Sequence, residues 1–129
     1  MKITELIKGI CELVDHEQNV RPSYHDFVAA IRFVSSISQD IIDKLPFASV
    51  STVDGGDIRI EWRISSAIEV RLIFPGLEKV NPYIYYEVKN NYGVIEDANV
   101  ESFEKLLSKI GILASVSYTH LTLPTICSV

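Results

Sequence analysis

Two histidine–carboxylate pairs are the residues in this sequence whose types first suggest chemistry. His25 is followed by Asp26, and His16 by Glu17. Such pairs can act as general acids and bases, and the four side chains together could ligate a metal ion. Neighbouring helical residues, however, point about 100° apart, and the spacing of the two pairs fixes no ligand set. We therefore expect His25 and Asp26 to be solvated or capping groups, and we predict no catalytic residue and no metal site.

A short acidic segment with two glycines is the second candidate for chemistry. Asp54-Gly55-Gly56-Asp57 would suit a phosphate or calcium loop, but it lacks the Gly-Lys-Ser/Thr of the first and the ligand series of the second. Glycine adopts positive φ without steric cost, so the segment is typical of a hairpin turn. The sequence also lacks a nucleophile elbow, a Cys-x-x-Cys pair and a dinucleotide-binding glycine pattern, and we predict no cofactor.

The surface with the most specific chemistry lies on one face of three predicted strands. Alternation places arginines, glutamates and tyrosines there: Arg59, Glu61, Arg63, Glu69, Arg71, Ile73, Tyr83, Tyr85 and Glu87. Arginine and tyrosine are enriched at binding hot spots, so we predict that this face binds another protein. The predicted anchors are Arg63, Arg71, Tyr83 and Tyr85. A solvated face held by cross-strand charge pairs is the alternative, and the balance of arginines and glutamates argues against nucleic acid.

A hairpin whose register is set by the sequence positions this face. Residues 58–64 and 68–74 alternate apolar and charged side chains. One antiparallel register pairs the apolar side chains: Ile60 with Leu72, Trp62 with Val70, and Ile64 with Ile68. The same register pairs opposite charges on the other face: Arg63 with Glu69, and Glu61 with Arg71. Each charge pair would contribute about 0.2–1 kcal/mol, and a slip of one residue would lose both.

The remaining patterns predict helices on either side of the strands. A stripe of apolar residues at helical spacing predicts a first helix, and we expect Cys11 beside it to be buried. The stripe consists of Ile3, Leu6, Ile7, Ile10 and Val14. Ser23 would cap a second helix, with Asp26 completing a capping-box-like pair, and the helical spacing continues to Leu45 before Pro46 ends it. Asn99 would cap a last helix that ends near Gly111.

Further strands are predicted at residues 47–53 and 82–89, with a turn at 90–93 and a short strand at 94–95. The order of elements predicts an α+β fold with two N-terminal helices, an antiparallel meander sheet of four to five strands, and a C-terminal helix.

Length and composition favour one small acidic domain. The chain has 129 residues, a net charge of −5 and 47% hydrophobic residues, which suffices for a core without disulfides. An acidic chain is a poor general binder of nucleic acid. Because the sequence has neither an apolar signal region nor a stretch that could span a membrane, we expect a cytoplasmic protein with no membrane partner.

The last fifteen residues have a different composition from the rest. Every charged residue lies between Lys2 and Lys109, and residues 115–129 have none. Val116–Thr125 closely resembles the translation of a transposase-type sequencing-library adaptor, although its Thr, Val and Tyr content would also suit a natural β-strand. We predict a single domain at residues 1–114, followed by a non-native tail at 115–129 that replaces the natural C-terminus.

A family resemblance rests on residues 52–62, Thr-Val-Asp-Gly-Gly-Asp-Ile-Arg-Ile-Glu-Trp, followed by the strand at 69–74 and the tyrosines at 83–86. These segments resemble a family of short uncharacterised bacterial proteins with an Asp-Gly-Gly hairpin that leads into a Leu/Ile-Glu-Trp strand. The resemblance spans about residues 22–110, and this chain has an extra Asp57 after the glycines. It implies a bacterial protein and, by analogy, an antitoxin- or immunity-like accessory protein, but it assigns no functional residue.

We therefore expect a non-catalytic protein–protein interaction module whose partner is another protein or a second copy of the chain. The alternative is a small hydrolase or ligand-binding domain with a pocket between the helices and the sheet. A polar cleft that brings His25 or His16 near a second titratable group would favour that alternative.

Overall fold

The computed structural model describes residues 1–15, 22–52, 56–76 and 81–111. The described helices are α1 (Ile3–Asp15), α2 (Tyr24–Ser35), α3 (Gln39–Asp43) and α4 (Val100–Lys109). The described strands are β1 (Ala48–Thr52), β2 (Ile58–Ser65), β3 (Ile68–Phe74), β4 (Tyr83–Val88) and β5 (Asn91–Ile95). The strands form one antiparallel sheet in the order β1-β2-β3-β4-β5. This meander with helices before and after it confirms the predicted α+β class.

One apolar core joins the helices to one face of the sheet, which we call the inner face. Four aromatic residues lie at its centre: Phe33 of α2, Trp62 of β2, Phe74 of β3 and Phe103 of α4. Phe33 meets Phe74 and Phe103 edge to face, with ring centroids 5.8 and 6.0 Å apart. Trp62 is fully buried and its ring centroid lies 5.3 Å from that of Phe103. Burial of a large apolar side chain contributes about 1.5–3 kcal/mol, so these contacts hold the helices on the inner face.

Helix α1 packs beside β1, at one edge of the sheet. Its fully or nearly fully buried side chains are Leu6, Ile10 and Leu13. A β-carbon at Gly9 would lie 3.3 Å from a methyl group of Val50 on β1, so the helix and the strand approach closely. The predicted burial of Cys11 is wrong, because this thiol lies outside the buried stripe and is exposed. Within the described residues, no helix is long and apolar enough to cross a membrane.

The predicted second helix is divided into α2 and α3. The helical spacing of apolar residues continues through residues 36–38, but two serines there interrupt the backbone pattern. Ser36 donates its hydroxyl hydrogen bond to the carbonyl of Arg32 at 2.9 Å, and Ser38 accepts one from the backbone N–H of Ile41 at 3.3 Å. Serine hydroxyls compete with helical hydrogen bonds and favour caps, so α2 ends and α3 begins where the apolar pattern alone predicts one helix.

The predicted register of the β2–β3 hairpin is confirmed over most of its length. The observed pairs include Ile60 with Leu72, Glu61 with Arg71, Trp62 with Val70, and Arg63 with Glu69. The predicted pairing of Ile64 with Ile68 is wrong, because Ser65 is the partner of Ile68 and the register shifts between Arg63 and Ser65. A tight two-residue turn requires this pairing, and a bulge at Ile64 restores the register set by the alternating side chains.

The turn between β4 and β5 lies earlier in the chain than predicted. The sequence placed it at residues 90–93 and left only 94–95 for a short strand. In the structure Lys89 and Asn90 form the turn, with φ angles of 50° and 70°, and β5 begins at Asn91. Two successive residues with positive φ are typical of a type I′ turn, whose twist matches that of the flanking strands.

Gly93 lies where a tyrosine ring crosses β5. It pairs with Tyr86 of β4, and a β-carbon at position 93 would lie 2.5 Å from the phenol oxygen of Tyr86. That distance is far shorter than a van der Waals contact, so glycine leaves the space that the ring occupies.

Candidate protein-binding face

The four predicted anchors lie together on the sheet face opposite the helices, which we call the outer face. Arg71 of β3 pairs with Tyr85 of β4, while Arg63 of β2 pairs with Glu69 of β3. Tyr83 lies two residues from Tyr85 on the same strand face. Since alternate residues of a strand share a face, the structure brings the four anchors onto one surface.

Glu69 is the centre of the charged part of this face. It is buried, with only 6% of its surface exposed, although it lies on the outer face. Its two carboxylate oxygens each accept a hydrogen bond, one from Nη2 of Arg63 and the other from Nε of Arg71. Nε of Arg71 also lies 3.5 Å from a carboxylate oxygen of Glu61. The sequence predicted two separate charge pairs, but the structure forms one network in which Glu69 binds both arginines.

The network places the Arg71 guanidinium against an aromatic ring. Cζ of Arg71 lies 5.2 Å from the centroid of the Tyr85 ring, which is within the range of a cation–π interaction. The same ring stacks on Tyr92 of β5, at a centroid distance of 6.4 Å and an interplanar angle of 24°. Partial burial and the Glu87 carboxylate raise the pKa of the Tyr85 phenol above its ordinary value. Glu69, Arg71, Tyr85 and Tyr92 thus form a continuous row of contacts.

The β5 end of the outer face is apolar and was missed by the sequence reasoning. Tyr92 is 71% exposed and Val94 is 56% exposed. An open depression lies there, lined by Tyr83 and Val94 together with three polar residues: Asn81, Glu96 and Asp97. A turn at residues 90–93 would exclude Tyr92 from any strand face, whereas the observed turn at Lys89 and Asn90 places Tyr92 in β5. The alternation of Tyr92 and Val94 would have been the signal.

The His25–Asp26 pair lies at the start of α2 and differs from the prediction. The Ser23 hydroxyl accepts a hydrogen bond from the backbone N–H of Asp26 at 3.1 Å, as a helix cap should. Of the two expected roles, solvated or capping group, the first is wrong for Asp26, because its side chain is only 3% exposed. Nδ1 of His25 lies 3.7 Å from Oδ1 of Asp26, and the imidazole is half exposed. The pair is close enough for an electrostatic interaction, but 3.7 Å is too long for a hydrogen bond.

One oxygen of Asp26 is unusual for a buried carboxylate. Oδ2 has no hydrogen-bond partner among the described residues. Burial raises the pKa of Asp26, and Asp57 adds to the increase, whereas Ser23 and His25 oppose it. Asp57 itself accepts a hydrogen bond from the backbone N–H of Gly76 at 2.7 Å, which joins the start of β2 to the segment after β3. Asp57 therefore acts in the turn region as a structural acceptor.

The space between the helices and the sheet bears on the hydrolase alternative. Around Trp62 and Phe103 it is filled by the apolar core, and the depression that His25 lines is an open one on the surface of α2. His16, Glu17, Asp54 and Gly55 lie outside the described residues. Within the described ranges, no group of three or more histidine, cysteine or acidic side chains could hold a metal ion.

Comparison with known proteins leaves the outer face as the main source of functional information. The sequence matches no protein-family model, no curated protein and no solved structure. The likeness to short bacterial proteins stays a prediction from the hairpin motif. The tail at 115–129 likewise lies outside the described residues.

Proposed function

We propose that this protein is a non-catalytic interaction module that binds another protein through its outer face. The observation that carries the proposal is the fixed position of Arg71 and Tyr85. Glu69 holds the guanidinium of Arg71, and that guanidinium lies over the Tyr85 ring. Binding normally loses side-chain entropy when long side chains become ordered. Because intramolecular contacts already order the Arg71 and Tyr85 side chains, binding a partner would cost less side-chain entropy.

The chemistry of the face suits a protein partner better than nucleic acid. The Arg63 side chain is 62% exposed, and a guanidinium has more donors than its one bond to Glu69 uses, so Arg63 can bind a carbonyl or carboxylate oxygen of a partner. The neighbouring tyrosines offer flat apolar surface with polar hydroxyls, a combination that is common at hot spots. Glu69 and Glu61 already neutralise the two arginines, which leaves little positive field for phosphates.

We further infer a cytoplasmic location and an accessory role of the antitoxin or immunity type. The free and exposed thiol of Cys11 supports a reducing compartment. The accessory role is supported by the resemblance of the hairpin motif and by analogy alone. An adjacent toxin or effector gene would name the class of partner.

Affinity capture with matched variants tests the outer face. Arg71→Ala and Tyr85→Ala should each raise the dissociation constant of the captured partner at least about tenfold, as expected of a hot-spot residue. Lys105→Ala is the control, because Lys105 is 76% exposed on α4, which packs on the inner face. Binding measured by titration with the purified partner should be unchanged in the control. Equal binding by wild type and both outer-face variants would contradict the proposal.

A further inference from the structure

The sheet ends in β1 on one side and in β5 on the other. At the β1 end, α1 packs against the inner face of the strand, where Gly9 approaches the side chain of Val50. At the other edge, β5 pairs with β4, and no described strand lies on its other side. An exposed edge strand without protection is a template for pairing with another strand. Proteins commonly protect such edges with charges or proline, but residues 91–95 contain neither.

The backbone of β5 has hydrogen-bonding groups that no described strand pairs with, and they lie at defined positions. In a hairpin with a two-residue type I′ turn, the residues that flank the turn exchange hydrogen bonds, and the bonded pairs then alternate along the strands. Val88 and Asn91 flank the turn, so Tyr86–Gly93 and Ile84–Ile95 continue the bonded series. The N–H and C=O groups of Tyr92 and Val94 must therefore point away from β4. These are also the two β5 residues with large exposed apolar side chains.

We propose that a second copy of the chain pairs with β5 in an antiparallel arrangement, with the twofold axis passing near Gly93. This register sets Tyr92 opposite Val94 of the partner subunit, and the symmetry repeats the contact on the other side of the axis. Each of these pairs uses the free backbone groups of both residues. The side chains of the two pairs lie on the outer face and cover one another.

Charge supports a second copy as the occupant and sets its direction. Lys89 lies in the turn that precedes β5, and Glu96 and Asp97 follow its last residue. Antiparallel pairing brings the lysine of each chain near the acidic end of the other, at both ends of the interface. Parallel pairing would place like charges together, which is unfavourable. The edge is thus complementary to itself, as a twofold interface requires.

This dimer goes beyond the proposed function, because it uses the strand edge and leaves Arg71 and Glu69 uncovered. Pairing through β5 would join the two sheets and place two outer faces side by side. One dimer could then bind two partner molecules or one large partner across the junction.

Sedimentation equilibrium of the full chain tests the proposal. Wild type should reach twice the chain mass of 14.5 kDa in the micromolar range, and Val94→Lys should raise the dimer dissociation constant at least about tenfold. Val94 is exposed, so the variant should keep the circular dichroism spectrum and urea midpoint of the monomer fold. Ser49→Lys is the matched control, because it adds the same charge on β1 at the opposite edge. A monomeric wild type, or a dimer unaffected by Val94→Lys, would overturn the proposal.

Disulfide crosslinking tests the register. In a background with Cys11 and Cys127 replaced by serine, chains with Tyr92→Cys and chains with Val94→Cys are oxidised separately and as a mixture. Facing residues in a bonded antiparallel pair are close enough for a disulfide, so only the mixture should crosslink. Crosslinking of either variant with itself would place the axis elsewhere and refute this register. Arg71→Ala should weaken partner binding at least about tenfold without changing the dimer, which distinguishes failure of the dimer from failure of the outer-face function.

Discussion

Two buried carboxylates in this protein, Glu69 and Asp26, have opposite surroundings. Glu69 lies on the outer face, and each of its oxygens accepts a hydrogen bond from an arginine. Asp26 lies at the start of α2, with one oxygen unpartnered among the described residues and a half-exposed histidine 3.7 Å from the other. The two are similarly inaccessible, at 6% and 2% exposed. The comparison shows that burial does not decide whether a carboxylate stabilises a fold; its partners do.

Glu69→Gln should give the largest effect. The amide keeps the shape of the side chain but can accept from only one arginine, and its NH₂ group then faces the other. We expect the free energy of unfolding in urea to fall by about 1–3 kcal/mol. Glu87→Gln is the control, because Glu87 lies directly opposite Glu69 on the same face and should change the stability by less than about 0.5 kcal/mol. Equal effects of the two substitutions would show that the arginine network does not stabilise the fold.

Asp26→Asn should have a smaller effect of opposite sign at neutral pH. Burial raises the folded-state pKa of Asp26 above its ordinary value of 3.8. A raised pKa means that the folded state favours the protonated form, so the contribution to stability is complete below the unfolded pKa and is lost as pH rises through the folded pKa. Asparagine removes that loss. The variant should therefore be more stable than wild type at pH 7, and the difference should shrink as pH falls through the raised folded-state pKa, until it is lost near the ordinary value of 3.8.

Urea unfolding of both proteins between pH 3 and 7 measures this dependence. Asp40→Asn is a suitable control, since Asp40 is an exposed carboxylate in the first turn of α3. If the difference in unfolding free energy between wild type and Asp26→Asn did not vary with pH, the raised folded-state pKa of Asp26 would be contradicted.

Arg63→Ala should have the smallest effect on the free energy of unfolding. Compared with Arg71→Ala, it shows how much each arginine contributes to stability through Glu69. The Arg63 side chain is 62% exposed, whereas that of Arg71 is 34% exposed. Solvent screening weakens exposed ion pairs, so we expect Arg63→Ala to lower the free energy of unfolding by less than about 1 kcal/mol. Arg71→Ala should cost more, because it also removes the contact with the Tyr85 ring. The reverse order in urea unfolding would identify Arg63 as the main partner of Glu69.

The sequence was sufficient for the parts of the fold that follow from alternation. The opposite charges of Arg63 and Glu69 and the apolar partners of Trp62 selected one register, because any odd slip would expose the apolar face. The bulge at Ile64 was not predictable in this way, since it arises from the length of the turn. The division of α2 from α3 was missed because apolar spacing records which side chains are buried, and not where serine hydroxyls compete for backbone hydrogen bonds.

The candidate site could be predicted only in part. Alternation placed Arg71 and Tyr85 on one face, which the structure confirms. It could not show that Glu69 is buried, because strand periodicity assigns a glutamate between apolar residues to solvent. The burial of Asp26 was missed for a similar reason. A position in a helix-capping motif indicates hydrogen bonds at the end of the helix. It does not indicate whether other parts of the fold bury the side chain.

The crossing of the Tyr86 ring over Gly93 has a consequence for how this sequence can vary. The two positions share one volume, so a larger residue at 93 can be accommodated only if the ring at 86 is lost or turned away. Gly93→Ala and Tyr86→Val should each be harmful alone, the first by crowding and the second by leaving a gap. We therefore expect related sequences to change positions 86 and 93 together. Coupled substitutions at these two positions would identify the β4–β5 hairpin in distantly related sequences.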